Sequence, residues 1–396
     1  MNLERYSPKN LRRPSYGYIN VHPIQRGGIL TEEAREVLVE WADGYSVCDM
    51  CVKGRVDLLR TPCVEEFKYD VAEFLGMDEA RFTAGARHAK FVIMNSVAKR
   101  GDAIVVDSLA HYTTYLAAEL NELKLYEVPN TGHPEYRIEP ESYAQTFENV
   151  KEKTGDYPAL ALLTHVDYKY GNVSDVKKVG KICEEYDIPL ILNTAYSSGV
   201  MPINGKRLRA TFIVGSGHKS WAATAPIGVL ATIQEYSEIA FRKSKIKGDI
   251  TGKSFVMKET PLFGCAPVYG LPIITLMASF PGVVERVKRW DREVDKARYI
   301  VKELEKISGI HHIGIKPTQH TLNAFETPSF YEVSKSHKKR GYFLYHELKK
   351  RGVVGVQPGL TKSIKINTYG LTDDEVEKVI WAFKDVATSY GIDVED

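Results

Sequence analysis

The sequence has no long apolar run. Nowhere do its 396 residues approach the ~18 to 20 uninterrupted apolar positions of a membrane-spanning helix. The opening from Met1 to Arg13 is polar and basic, without the apolar core of a secretory leader. No membrane association and a cytoplasmic location are therefore expected. Cysteine is scarce: Cys48, Cys51, Cys63, Cys183 and Cys265 make five. An odd count in a reducing compartment argues against a structural disulfide framework. Charge of one sign is missing too. A formal net charge of +2 leaves no global basic field, so contact with nucleic acid has to come from local patches. Internal repeats and low-complexity tracts are absent. A single Cys-x-x-Cys, with no second pair and no His-x₃₋₅-His nearby, excludes a standard zinc finger.

What is present is ordinary globular material, 43% hydrophobic and 26% charged. The length suggests two domains. The first ~60 residues are irregular and rich in Arg, Pro, Gly and Tyr. Beyond them the pattern predicts helices over 67–75 and 89–97. Short apolar runs predict strands over 103–106, 125–128, 159–164, 189–192, 212–214 and 227–232. A helix over 175–185 follows Ser174, which is placed to cap it. Strands alternating with helices indicate an α/β fold with a mostly parallel, doubly wound sheet. After Ser237 the chain is polar and basic through Lys258. A long helix is expected over 282–307, and then a smaller C-terminal α+β domain. In that domain the Lys335–Arg340 stretch is expected to enter a helix ending near Gly352. The expected division is an N-terminal segment, 1–66, carrying Cys48 and Cys51, a large domain, 67–280, and a small domain, 281–396.

Chemistry concentrates at predicted strand ends, where open α/β sheets bind ligands. Lys219 follows the strand Phe212-Ile213-Val214 in Gly215-Ser216-Gly217-His218-Lys219. A free lysine is almost fully protonated at neutral pH. Held as an imine to an aldehyde cofactor, it becomes an anchor and a base. Pyridoxal phosphate (PLP) is the usual such cofactor. Gly85-Ala86-Arg87 opens a helix, and glycine, helix N-terminus and guanidinium together suit a phosphate. His111 follows a strand and could stack on a flat ring. Asn193 closes Pro189-Leu190-Ile191-Leu192 and could reach a pyridine nitrogen. Ser216 and His218 flank Lys219 and could hold the phosphate. Taken singly, each also reads as a plain loop, cap or core residue.

Their order resembles that of fold-type I PLP-dependent transferases. The order is phosphate turn, stacking ring, strand-end Asn and Ser-x-His-Lys, with the lysine 26 positions after Asn193. Most of that superfamily carries Asp where Asn193 stands. A neutral amide shares only a hydrogen bond with the ring nitrogen. The expected electron sink is weaker, yet adequate to eliminate a good leaving group at Cβ.

The Cys48/Cys51 pair admits half a zinc site, a redox pair or part of an iron–sulfur site. Cys265, beside Gly264, could join it across a subunit boundary. Cys63 and Cys183 read as structural. With these residues the chain resembles the family of O-phosphoseryl-tRNA:Cys-tRNA synthases, archaeal enzymes of tRNA-dependent cysteine synthesis. The segments that carry the likeness are 19–28, Cys48/Cys51 after Asp43-Gly44-Tyr45, Gly85-Ala86-Arg87, Ala110-His111-Tyr112-Thr113 and Leu163-Thr164-His165-Val166-Asp167. Further on they are Leu192-Asn193, Ser216-Gly217-His218-Lys219-Ser220, Met277-Ala278-Ser279-Phe280-Pro281 and Val283-Val284-Glu285-Arg286-Val287. The likeness runs nearly end to end, and Asn193 conforms to it.

The resemblance implies a reaction. Phosphoserine esterified to tRNA(Cys) displaces Lys219 from PLP, and Lys219 then takes the Cα proton. Phosphate leaves Cβ and sulfur replaces it. The family's three functional cysteines map to Cys48, Cys51 and Cys265, which carry sulfur as a persulfide or hold an iron–sulfur cluster. His111 counts among the catalytic residues, and Ala86, Arg87, His111, Asn193, Ser216, Gly217, His218 and Lys219 among those binding PLP. Arg26, Arg87 and His165 are candidates for the substrate phosphate. The stretch Gly359–Lys365 holds lysines but no arginine to clamp a carboxylate, and an aminoacyl ester has none to clamp. Basic stretches at 242–247 and at Lys335, Lys338, Lys339 and Arg340, with 349–351 nearby, are candidates for tRNA contact. A homodimer and a complex with phosphoseryl-tRNA synthetase are the implied assemblies. The alternatives are a cysteine desulfurase or small-molecule β-eliminating lyase and, from another class, a non-catalytic iron–sulfur carrier or scaffold.

Overall fold

The computed structural model describes residues 4–7, 17–42, 62–254, 258–262 and 270–395. Cys48, Cys51 and Cys265 lie outside the described residues. The chain divides into two compact units. The larger comprises 27–294 with 314–320; the smaller comprises 1–26, 295–313 and 321–396. The division thus runs at Asp295, where the sequence suggested 280, and the residues up to Arg26 group with the C-terminal ones.

The larger unit is built on seven strands: β1 (Glu79–Thr83), β2 (Ala103–Asp107), β3 (Lys124–Val128), β4 (Leu160–Thr164), β5 (Leu190–Asn193), β6 (Phe212–Ser216) and β7 (Gly228–Thr232). Their order across the sheet is β1-β7-β6-β5-β4-β2-β3. Strand β7 runs antiparallel to both neighbours, and every other pairing is parallel. Helices cover both faces, so the central strands are apolar throughout. Val105, Leu163, Leu192 and Ile213 belong to one core cluster. Ile104, Val106, Leu162, Ile191 and Val214 belong to another. Alternate residues of a strand point to opposite faces, which is why neighbours in sequence fall into different clusters.

All six expected strands are present. β1 was not expected: Glu79-Ala80-Arg81-Phe82-Thr83 is short and carries two charges. It is a strand because Ala80 and Phe82 are buried and Arg81 has a carboxylate partner. The Arg81 guanidinium donates to Glu259 through Nε (2.9 Å) and Nη2 (2.8 Å). Three local expectations need correcting. The helix Val176–Glu185 is capped by Asp175, whose side chain accepts from Lys178 N; the Ser174 hydroxyl donates instead to Thr164 O. The single long helix over 282–307 is two, Gly270–Val287 and Trp290–Glu305. At the break, Lys288 N and Arg289 N bond three residues back, to Glu285 O and Arg286 O, tightening the turn and ending the α-helix. Lys335 does not start a helix reaching Gly352. It lies in the last turn of Pro328–Ser336, and extended His337 separates that helix from Phe343–Lys350.

Helix Gly270–Val287 is the one described helix long and apolar enough to cross a membrane. Here its apolar side serves the core: Ile273, Leu276 and Val283 are fully buried in the same cluster as Trp221 and Val229. The smaller unit has a three-stranded antiparallel sheet with Leu322–Glu326 between His311–Ile313 and Ser363–Asn367. It also has a two-residue parallel pairing of Ile19–Asn20 with Val353–Val354. Phe325, Phe330, Phe343, Ile366 and Phe383 centre its core.

Candidate active site

The strand order reverses at β2, which lies between β4 and β3. That switch point opens a crevice at the carboxyl ends of the parallel strands. A cavity of about 260 Å³ lies there, within the larger unit. Ala86, Arg87, His111, Asn193, Ser216, His218 and Lys219 all line it. Residues spread over more than 130 positions of sequence are thus brought to one place. Gly217 is buried in the same turn as Lys219.

Helix α1 (Ala86–Val97) begins at the cavity. Its N-cap is Gly85, with φ +93° and ψ 167°, a conformation open to glycine and strained for other residues. A capping residue without a side chain leaves the first N–H groups of α1 uncovered. They and the helix dipole favour an anion. Arg87, exposed on the first turn, adds a guanidinium.

Lys219 sits on the short turn Gly217–Ser220 directly after β6. Burial, and after it the nearby Arg87 cation, lowers its pKa from the ordinary lysine value. A larger fraction of the amine is therefore neutral and nucleophilic at a given pH. Its Nζ lies 4.9 Å from the centroid of the Tyr196 ring. The turn is held from behind by backbone contacts. A Cβ on Gly28 would stand 2.3 Å from His218 O, and one on Gly199 would stand 2.3 Å from Ser220 O. The Arg286 guanidinium donates to Gly199 O (2.7 Å), to Gly27 O (3.0 Å) and to Ser220 O.

His111 is the N-cap of helix α2 (Tyr112–Leu120), and its side chain accepts from Thr113 N. That bond makes Nδ1 the acceptor and assigns the ring proton to Nε2 in the neutral form. The ring centroid lies 4.3 Å from that of Tyr112 and 5.1 Å from that of Tyr168. Burial, followed by the charges of Lys219, Lys90 and Arg87, pushes its pKa down to about 4. A neutral imidazole face results. Asn193 is buried, and its Oδ1 accepts from Ala195 N at 3.3 Å. Its amide nitrogen is therefore the end left to donate into the cavity. His218 Nδ1 donates to Ile227 O at 3.0 Å, and its Nε2 stands 3.4 Å from Ser216 Oγ.

Two expected residues do not join this group. His165 is outside the lining. Its ring is fully buried, with Nδ1 2.9 Å from Ser197 Oγ, and burial pushes its pKa down to about 4. Arg26 belongs to the smaller unit, where Nε donates to Tyr369 O at 2.7 Å. No group of three metal-ligating side chains forms among the described residues.

Sequence reasoning passed over Lys90. It lies one turn past Ala86 on α1 and lines the cavity, yet is only 2% exposed. Its Nζ donates to Thr113 Oγ1 (2.9 Å) and Thr114 Oγ1 (2.8 Å). Burial first, then Lys219 and Arg87, lowers its pKa to about 7, against the opposing pull of Asp107. The signal was present in Arg87-His88-Ala89-Lys90: a lysine three residues after the turn arginine, on the same helix face. Tyr168 and Tyr196 were also missed, since loop tyrosines carry no spacing signal.

Pyridoxal phosphate suits this arrangement. Lys219 supplies the amine. The α1 N-terminus, with Arg87 and Lys90, could receive the phosphate. The neutral His111 ring offers a plane, and Asn193 offers one donor for a ring nitrogen. The close approach of β7 to the phosphate turn leaves no room for side chains there: a Cβ on Gly228 would meet Gly85 Cα at 2.6 Å.

Residues 90–388 match the family described as O-phosphoseryl-tRNA(Sec) selenium transferase, SepSecS. The chain is 65% identical to O-phospho-L-seryl-tRNA:Cys-tRNA synthase 2 of Archaeoglobus fulgidus over 389 residues, 98% of this chain and 99% of that one. A crystal structure of a SepCysS–SepCysE N-terminal domain complex superposes with a TM-score of 0.89 at 48% identity, covering 98% of this chain and all of that one. The cysteine desulfurase of Thermococcus onnurineus matches with a TM-score of 0.69 at 19% identity, over 93% of this chain and 95% of its own, and shows the shared fold. The fold is that of the fold-type I PLP enzymes. With near-complete coverage at this identity, the chain belongs to the family of O-phospho-L-seryl-tRNA:Cys-tRNA synthases.

Proposed function

We propose that this chain is a PLP-dependent transferase that converts O-phosphoseryl-tRNA(Cys) to cysteinyl-tRNA(Cys), replacing phosphate by sulfur. The observation that carries the proposal is the convergence of Lys219, Arg87, His111 and Asn193 on one cavity in a chain of this family. When bound, pyridoxal phosphate withdraws electrons from Cα and so lets phosphate leave Cβ. Lys219 would anchor the cofactor through its amine and is placed to take the Cα proton of the substrate. Its lowered pKa suits that task. His111 would offer the ring a neutral imidazole face. Asn193 would offer the ring nitrogen one neutral hydrogen-bond donor. Ser216 and His218, which line the same cavity, would help to hold the cofactor phosphate. Arg87 and Lys90 supply positive charge for anions in the cavity.

Cys48, Cys51 and Cys265 are proposed to deliver sulfur. They carry it as a persulfide or hold an iron–sulfur cluster, and iron analysis of anaerobically purified protein separates the two. Protein partners are supported by the related structure solved with the SepCysE N-terminal domain. A homodimer, a complex with phosphoseryl-tRNA synthetase and a cytoplasmic location complete the reading.

The test is incubation of the PLP-loaded protein with phosphoseryl-tRNA and sulfide, followed by identification of the esterified amino acid. Cysteine on the tRNA and one phosphate released per turnover are expected. Phosphoserine recovered unchanged would sink the assignment.

A further inference from the structure

We propose that a basic groove of the smaller unit binds an unpaired nucleotide of the tRNA, together with its adjoining phosphate. The inference rests on the tRNA-dependent function proposed above. The groove encloses about 460 Å³, and Tyr331, Lys335, Arg340, Gly341, Leu360 and Lys362 are among its walls. The two segments that form it, ending at Gly341 and beginning at Gly359, are separate in sequence, and neither marks a site alone.

Three features fit a single-stranded nucleotide. The first is charge. Lys335 is held 2.6 Å from Glu332, which offsets its field. Arg340 and Lys362 make no ion pair with any described residue. Two uncompensated cations on one groove suit a phosphate, and Arg340 can grip it through two N–H donors. The second is apolar surface. Tyr331 is 38% exposed, Tyr342 55% and Leu360 43%. Tyr342 stands at the rim, its ring 3.8 Å from where a Cβ of Gly359 would lie. Flat exposed aromatics beside cations are the usual platform for an unstacked base. An acidic peptide would use the cations but leave the Tyr342 ring uncovered, whereas Tyr331 already has the Lys335 ammonium 5.1 Å from its centroid.

The third feature is the backbone. A Cβ on Gly341 would stand 2.7 Å from Gly359 O. The two loops therefore touch, and peptide groups form the floor. Arg340 itself has φ +45°, the left-handed region that non-glycine residues seldom occupy. Strain of this kind is characteristically held where a side chain must point in a set direction. Arg340 is one of the residues that line the groove.

The experiment measures binding of phosphoseryl-tRNA to the PLP-loaded protein across a salt series. In the double variant Arg340→Gln/Lys362→Gln the slope of log K against log salt should fall in magnitude by about 0.7, the value for one lost single-strand phosphate contact. Tyr342→Ala should weaken binding at least about 5-fold through lost stacking. The control Lys99→Gln/Lys177→Gln removes equal charge from exposed positions of the larger unit and should leave the slope nearly unchanged. Photo-crosslinking of 4-thiouridine-substituted tRNA to the unmutated protein should map to peptides containing Tyr342 or Lys362. Unchanged slope and affinity, equal loss in the control, or crosslinks confined to other peptides would overturn the proposal; the first and last results would leave the groove to a protein partner. Absence of tRNA binding and turnover in the unmutated protein would instead overturn the function on which the inference rests.

Discussion

At Lys90 burial and charge oppose each other. The side chain is 2% exposed and its amine touches only two threonine hydroxyls. A carboxylate within hydrogen-bond reach would have kept it protonated; burial instead brings its pKa to about 7. Because the folded value lies below the ordinary one, the ammonium form gains ground as pH falls through 7. Anion binding at α1 should follow the same sense. Sulfate, which does not titrate in this range, is expected to bind the cofactor-free protein about tenfold more tightly at pH 6 than at pH 8. Lys90→Met should flatten that dependence, as read by calorimetry. A pH-independent affinity in the unmutated protein would remove Lys90 from the anion site. Asn193 illustrates the same scale from the other side. Its type was legible in the sequence, but the direction of its amide was not, because Ala195 N decides which end faces the cavity.

The turn that carries Lys219 depends on elements distant in sequence. Gly28, Gly199 and Arg286 come from three separate stretches, and all meet its backbone carbonyls. Adding a Cβ at Gly28 requires the His218 carbonyl to move, since 2.3 Å is far inside contact distance. Gly28→Ala is therefore expected to displace the turn and reduce PLP incorporation several-fold, read from the visible absorbance of the purified protein. Helix content should stay close to that of the unmutated protein, because Gly28 lies outside the α-helices. Unaltered absorbance would show that the turn tolerates the shift. At this scale the sequence was most informative where one period dominates. The buried parallel strands announced themselves as apolar runs. β1 did not, because Arg81 needs Glu259, 178 positions away, to become a strand residue. The break at Lys288 escaped notice for a related reason: a change from i−4 to i−3 bonding leaves the charge pattern of the helix unchanged.

Across the whole molecule, the sequence put the candidate residues at strand ends, and the open sheet brings Arg87, His111, Asn193 and Lys219 to one cavity. It could not separate His165, a buried structural histidine, from His111, since both follow strands. That distinction leads to a prediction about acid stability. Burial leaves His165 with a pKa of about 4 and His320 with one of about 3, and His111 also falls to about 4. All three lie below the unfolded value of about 6.5. Their neutral forms therefore contribute stability that is fully present above that value. It is lost as pH falls from 6.5 towards 4, because the unfolded chain takes up protons that the folded chain refuses. Asp107 works in the opposite sense: burial raises it to about 6, so its contribution is lost as pH rises through that value. Three histidines outweigh one carboxylate, and net stability should decline from pH 7 to pH 5. Urea unfolding of the cofactor-free protein at half-unit steps checks the sign. His165→Asn retains a partner for Ser197 and removes one titrating ring. It should lower the slope of stability against pH by about 0.9 kcal/mol per unit averaged over that window, most steeply near pH 5. An unchanged slope would mean that His165 already carries its proton in the folded state, against the burial of its ring.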